Sequence, residues 1–157
     1  MLPAGGAAPD HLRARLSELQ RPVQQQLAHA WMVRAFIRHS AEFEDYSELN
    51  DIARAIFDIA RAMDAKLEDP VGYFRMLNKK LGKFRKEVEQ YAAALSHISE
   101  HTNFLMSVVS LEGVILQLTA IQQSLPPLTA AASGAQLLAH DEDEETDSAE
   151  ERSPGTG

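Results

Sequence analysis

The sequence has 157 residues and 45% apolar side chains, which is typical of one folded domain with a sizeable core. It contains no cysteine, which excludes disulfides, thiolate metal ligands and cysteine nucleophiles. The net charge of −8 is unevenly distributed. Residues 1–128 carry 14 basic and 15 acidic side chains, whereas residues 129–157 carry one basic and eight acidic side chains.

The N-terminal region predicts an arm followed by a short helix. Residues 1–9 are small and include two prolines and two glycines, so we expect a disordered arm. Asp10 can cap a helix over residues 11–20, which is too short to be stable unless it docks. The N-terminus lacks the basic start and apolar run of a secretory signal, which favours a cytoplasmic location.

Pro22 fits the first turn of a helix, so we predict a first long helix over residues 22–44. This helix is apolar on two sides, which is typical of a helix covered on two sides. The second side could be covered by the short N-terminal helix, or it could be an oligomer face. That side contains Trp31, Met32, Phe36 and Phe43.

The next two helices, over residues 47–67 and 70–96, have regular apolar stripes. Asp69 and Pro70 predict a capped start for the second of them, and the short connection predicts antiparallel neighbours. The alternation of three- and four-residue spacings in its apolar seam is typical of coiled-coil-like packing. That seam comprises Phe74, Leu77, Leu81, Phe84, Val88, Tyr91 and Leu95.

Residues 101–125 are apolar nearly all round and include one charge, Glu112. The run is long enough to span a bilayer, but a glutamate at its midpoint is costly in lipid and no basic residues flank it. We therefore predict no membrane span, and we expect the most buried helix of a bundle.

Together these elements predict an all-α fold, an antiparallel up-down bundle of four long helices with a short N-terminal helix and disordered termini. The domain covers residues 10–128. Residues 129–157 contain a block of like charges and predict a disordered acidic tail.

A basic stripe on the helix over residues 70–95 is the strongest functional signal. From Arg75 to Lys86 there are six basic and no acidic side chains, and they can bind an acidic protein partner or the acidic block 141–151 of the same chain. Nucleic acid is a weaker alternative, and a merely solvated face is the structural one. The stripe consists of Arg75, Lys79, Lys80, Lys83, Arg85 and Lys86.

Glu112 predicts a buried polar pocket, since an unpaired carboxylate in an apolar core is unfavourable. We expect it to pair with Arg34 or Arg38, either to fix the helix register or to build a functional pocket. Neither Glu-x-x-His nor His-Glu-x-x-His occurs, so no metal and no cofactor are predicted. There is no Gly-x-Ser-x-Gly element either.

The function predicted from these features is a non-enzymatic, self-associating protein–protein interaction module. A small-ligand or metal-binding bundle with a polar pocket, which could be an enzyme, is the first alternative. A weak, non-specific nucleic-acid binder is the second.

Overall fold

The computed structural model describes residues 7–128, with side chains described from residue 10 onward. Within this range the chain forms four helices and no strand, which confirms the predicted all-α bundle. They are α1 (Ala7–His39), α2 (Ser47–Asp64), α3 (Pro70–Ile98) and α4 (Thr102–Gln123). The predicted acidic tail, residues 129–157, and residues 1–6 of the predicted arm lie outside the described residues.

The separate short N-terminal helix was a wrong prediction, because α1 is one continuous helix with Pro22 inside it. Leu16 and Val23, on either side of the proline, are fully buried in the same core. Gln20 also joins this part of α1 to the residues that follow α2, since its Nε2 donates to the carbonyl of Leu67 at 3.1 Å. These contacts on both sides offset the proline's lost backbone hydrogen bond. The helix ends at His39, and turns fill residues 40–45.

The start of α3 follows the prediction closely. Asp69 is the N-cap and accepts a hydrogen bond from the backbone N–H of Gly72 at 3.0 Å, and Pro70 occupies the first turn. Every residue of the predicted apolar seam, from Phe74 to Leu95, is buried. The sequence pattern therefore identified both the start of this helix and its packing side.

Neighbouring helices are antiparallel, because the partner's residue number falls as the number along α1 or α3 rises in the contacts Trp31–Phe57, Arg34–Ala53, Arg85–Thr119 and Tyr91–Ser107. Arg34 of α1 donates from Nε to the carbonyl of Ala53 in α2 at 3.2 Å. Between α3 and α4, Arg85 donates to Thr119 Oγ1 at 2.8 Å. Both α1 and α3 pack against α2 and α4, and α1 and α3 also touch across the centre. Among the described helices, α2 and α4 are the diagonal pair without contact.

The expectation that residues 101–125 form the most buried helix is wrong. Only one side of α4 is buried, against α1 and α3, because α2 lies on the far side of the bundle. Because apolar residues are distributed all round α4, apolar side chains on the opposite side of this helix are in contact with solvent. The buried side contains Phe104, Ser107, Val108, Leu111, Val114 and Leu118.

Candidate functional site

The structure divides the predicted basic stripe of α3. Arg75, Lys79, Lys83 and Lys86 are spaced four, four and three residues apart, on the side of the helix opposite the buried seam. Lys79, Lys83 and Lys86 are exposed, and Arg75 is half-buried. Arg85 lies on the α4 side instead, where its guanidinium binds Thr119.

A groove between α2 and α3 extends the positive surface. Arg61 of α2 and Lys80 and Lys83 of α3 line this groove of about 250 Å³, and Asp58 and Glu87 provide the two acidic side chains. Its apolar floor contains Ala55, Ile59 and Phe84. We call this feature the basic groove. Its lining is net positive by one charge, and it is continuous through Lys83 with the exposed lysines of α3.

The predicted buried polar pocket of Glu112, Arg34 and Arg38 does not form. Glu112 is exposed and lines a shallow groove between α3 and α4, together with Arg85 and Glu89. Arg34 and Arg38 line a different groove, between α1 and α2. The prediction was wrong because it expected α4 to be buried nearly all round, whereas Glu112 lies on the side of α4 that is exposed to solvent.

Arg34 has a structural explanation of its own. Its guanidinium carbon lies 4.6 Å from the ring centroid of Trp31 and 5.2 Å from that of Phe57, while Nε holds the Ala53 carbonyl. Burial, and secondarily the nearby charge of Arg38, lower the pKa of Arg34 from its usual value. A guanidinium that lies over two neighbouring aromatic rings is a favourable cation–π arrangement that joins α1 to α2.

The predicted oligomer face on α1 is dispersed. Trp31 packs against Phe57 of α2, and Phe36 packs edge-on against Phe104 of α4 with ring centroids 5.0 Å apart. Phe43 lies beyond the end of α1 and is half-buried against the core. Met32 alone is largely exposed, at 68%. These four residues do not form one continuous apolar surface.

A different apolar surface, on the outside of α4, was missed by the sequence analysis. Leu105, Met106, Val109 and Leu116 are exposed by 45%, 56%, 58% and 67%. Leu105, Val109, Glu112 and Leu116 follow one another at spacings of four, three and four residues, so they share one side of the helix. We call the surface formed by Leu105, Met106, Val109, Glu112 and Leu116 the α4 outer face. Its signal in the sequence was the same uniform apolarity that we interpreted as complete burial.

Two histidines near helix ends have ordinary local partners. His97 Nε2 lies 2.8 Å from Glu48 Oε1, and His101 Nδ1 accepts a hydrogen bond from the backbone N–H of Asn103. Backbone hydrogen bonding at the start of α2, followed by the contact with His97, lowers the pKa of Glu48. Within residues 10–128, no three histidine or carboxylate side chains are grouped as a metal site.

No protein-family model, no curated protein and no solved structure matches this chain. In the described part of the chain, α4 is the one helix whose length and composition would allow it to cross a membrane. Core helices of soluble proteins share this length and composition.

Proposed function

We propose that this protein is a helical interaction module that self-associates through the α4 outer face. The observation that supports the proposal is the exposure of four large apolar side chains on one side of one helix. Contiguous exposed apolar surfaces of this kind mark interaction sites, whereas isolated exposed apolar residues do not. The exposed large apolar side chains of α1 are only two in its described part, Met32 and Trp31, and Trp31 packs against Phe57 of α2.

The occupant we propose is the α4 outer face of a second copy, packed antiparallel. A two-fold axis between residues 112 and 113 would pair Val109 with Leu116 and Leu105 with Ala120. The same axis would place Glu112 opposite Gly113, whose added Cβ would meet no atom within 4 Å. Large side chains thus face smaller ones, and this self-complementarity is what a two-fold interface requires. A parallel pair would instead place Glu112 directly opposite Glu112.

Charge also favours a protein occupant over lipid. Glu112 lies in the middle of the α4 outer face and lines a groove with Arg85, which can partly balance it in a protein interface. A lone carboxylate is unfavourable in hydrocarbon, and α4 carries no basic residue to anchor it at a lipid surface. The six buried residues of α4 would also lose their core contacts if the helix left the bundle.

Paired substitutions test the proposal. Leu116→Glu places a charge on the α4 outer face, and Met32→Glu places the same charge on α1 at nearly the same exposure, 68% against 67%. We expect the wild-type full chain to form a dimer in sedimentation velocity. We expect Leu116→Glu to weaken the dimer at least tenfold, because a charge in an apolar interface is costly, and Met32→Glu to leave it unchanged. Melting curves should show both variants folded.

Three outcomes would overturn the proposal. One is a wild-type chain that stays monomeric up to about 100 μM, because a dimer that forms only above this concentration would have a weak affinity. The second is loss of the dimer in Met32→Glu but not in Leu116→Glu. The third is recovery of the wild-type chain with lipid vesicles when Leu116→Glu remains in solution, which would assign the α4 outer face to a membrane surface.

A further inference from the structure

The basic groove and the outer lysines of α3 form a second surface that self-association through α4 does not use. Arg75, Lys79, Lys83 and Lys86 follow the outside of α3, and Arg61 and Lys80 add positive charge from the groove. Asp58 and Glu87 are the acidic side chains lining the groove, so positive charge dominates along about three turns of helix.

The sequence contains one segment of opposite and greater charge density. Residues 141–151, DEDEETDSAEE, carry eight acidic side chains and no basic one. Their charge exceeds that of the basic surface, so binding would neutralise the surface. Interactions between such opposite charges are long-ranged at low ionic strength and screened by salt.

The last described residues lie close to the helix that carries the basic surface. The end of α4 lies beside the beginning of α3, since Gln122 Nε2 donates to Asn78 Oδ1 at 3.0 Å. Leu128, the last described residue, packs against the core. The α2 end that carries Arg61 also lies near the start of α3, because only residues 65–69 separate the two helices.

We infer that the acidic segment 141–151 binds the basic groove and the outer lysines of α3 in the same chain. Thirteen peptide units separate Leu128 from Asp141, and they can reach about 45 Å when extended. From Pro70 to Lys86 the rise of α3 is about 24 Å. The connection is therefore long enough for the segment to cover the whole basic surface. Bound there, the segment would compete with other polyanions, such as nucleic acid or an acidic protein.

A single paramagnetic label tests this contact in the full chain. The sequence has no cysteine, so Ser148→Cys provides one unique attachment site within the acidic segment. In ¹⁵N-enriched protein at low salt, we expect the amide signals of residues 75–86 to lose at least half of their intensity. The signals should recover in 1 M salt, where the Debye length falls to about 3 Å.

Two charge variants make the test specific. Lys80→Gln with Lys83→Gln should restore most of the lost intensity, because it removes two cations from the basic groove. Arg13→Gln with Arg21→Gln removes the same charge from exposed positions on α1 and should change nothing. A parallel series adds Leu116→Glu to each of these variants, so that the result does not depend on self-association through α4.

Contrary results are equally clear. Uniform or absent broadening, or broadening that persists in 1 M salt, would overturn the inference. A mixed sample distinguishes contacts within one chain from contacts between two chains. It combines spin-labelled chains that lack ¹⁵N with ¹⁵N-enriched chains that lack the spin label. Broadening of residues 75–86 of similar size in that mixture would show binding to a second copy and would also overturn the contact within one chain.

Discussion

Tyr73 and Tyr91 are both buried in α3, yet their hydroxyls differ. The Tyr73 hydroxyl has no hydrogen-bond partner among the described residues, whereas the Tyr91 hydroxyl lies 2.7 Å from Ser107 Oγ. Burial, and secondarily the charge of Asp64, raise the pKa of Tyr73 to about 12. Burial raises the pKa of Tyr91 as well, and the contact with Ser107 opposes this.

These differences predict opposite effects of one substitution. Tyr73→Phe should raise the free energy of unfolding at pH 7 by about 1 kcal/mol, because it removes a buried polar group without a partner. Tyr91→Phe should lower it by about 1 kcal/mol, because it removes a buried hydrogen bond. Urea unfolding of the two variants checks this. A loss of stability in Tyr73→Phe would contradict the structural account.

The same residue predicts the alkaline behaviour. The pKa of Tyr73 is higher in the folded chain than the ordinary value of 10.0, so its contribution to stability is intact below pH 10. That contribution is lost as the pH rises from 10 through 12. Tyr73→Phe should therefore show a shallower fall in the free energy of unfolding over this range. Part of the fall should remain, because the pKa of Tyr91 is raised as well.

At the scale of single elements, the two glycines of α3, Gly72 and Gly82, have different surroundings. A Cβ at Gly72 would collide with the carboxylate of Asp69, which caps the helix, whereas a Cβ at Gly82 would meet nothing within 4 Å. Gly82→Ala should stabilise the protein by about 1 kcal/mol. Gly72→Ala should lose this gain, because the cap contributes a similar amount.

Thermal unfolding of both alanine variants checks the comparison, with Asp69→Ala as the background for a double-mutant cycle. In that background the cap is already absent, so Gly72→Ala should become stabilising. Equal effects of Gly72→Ala in both backgrounds would rule out the collision with the cap.

The elements also show where sequence reasoning succeeds and where it fails. The α3 seam and the Asp69 cap were predictable, because spacing and capping are local properties. The continuity of α1 through Pro22 was not, since it depends on Leu16 and Val23 reaching the same core. The exposure of Glu112 could not be predicted either. Uniform apolarity does not indicate which side of α4 faces the bundle.

At the scale of the whole molecule, the two proposed surfaces lie on different parts of the bundle and act differently. The α4 outer face is apolar and would join two copies, while the basic surface of α3 would hold the chain's own acidic segment. Of the predicted basic residues, Arg85 belongs to the α4 side, and the other five lie on the outside of α3 or line the basic groove. The predicted oligomer face was placed on α1, where Trp31 and Phe36 are occupied within the bundle.

Self-association through antiparallel α4 helices is the central claim, and a distance between two copies tests it most directly. Gln123→Cys introduces one cysteine at an exposed position at the end of α4, and a spin label there can be measured by double electron–electron resonance. A two-fold axis between residues 112 and 113 predicts a separation of about 30 Å between the two labelled backbone positions. Dipolar broadening of the continuous-wave spectrum would indicate parallel helices with labelled positions about 10 Å apart. Neither broadening nor a measurable pair distance would mean that the dimer does not exist. Either result would contradict the account.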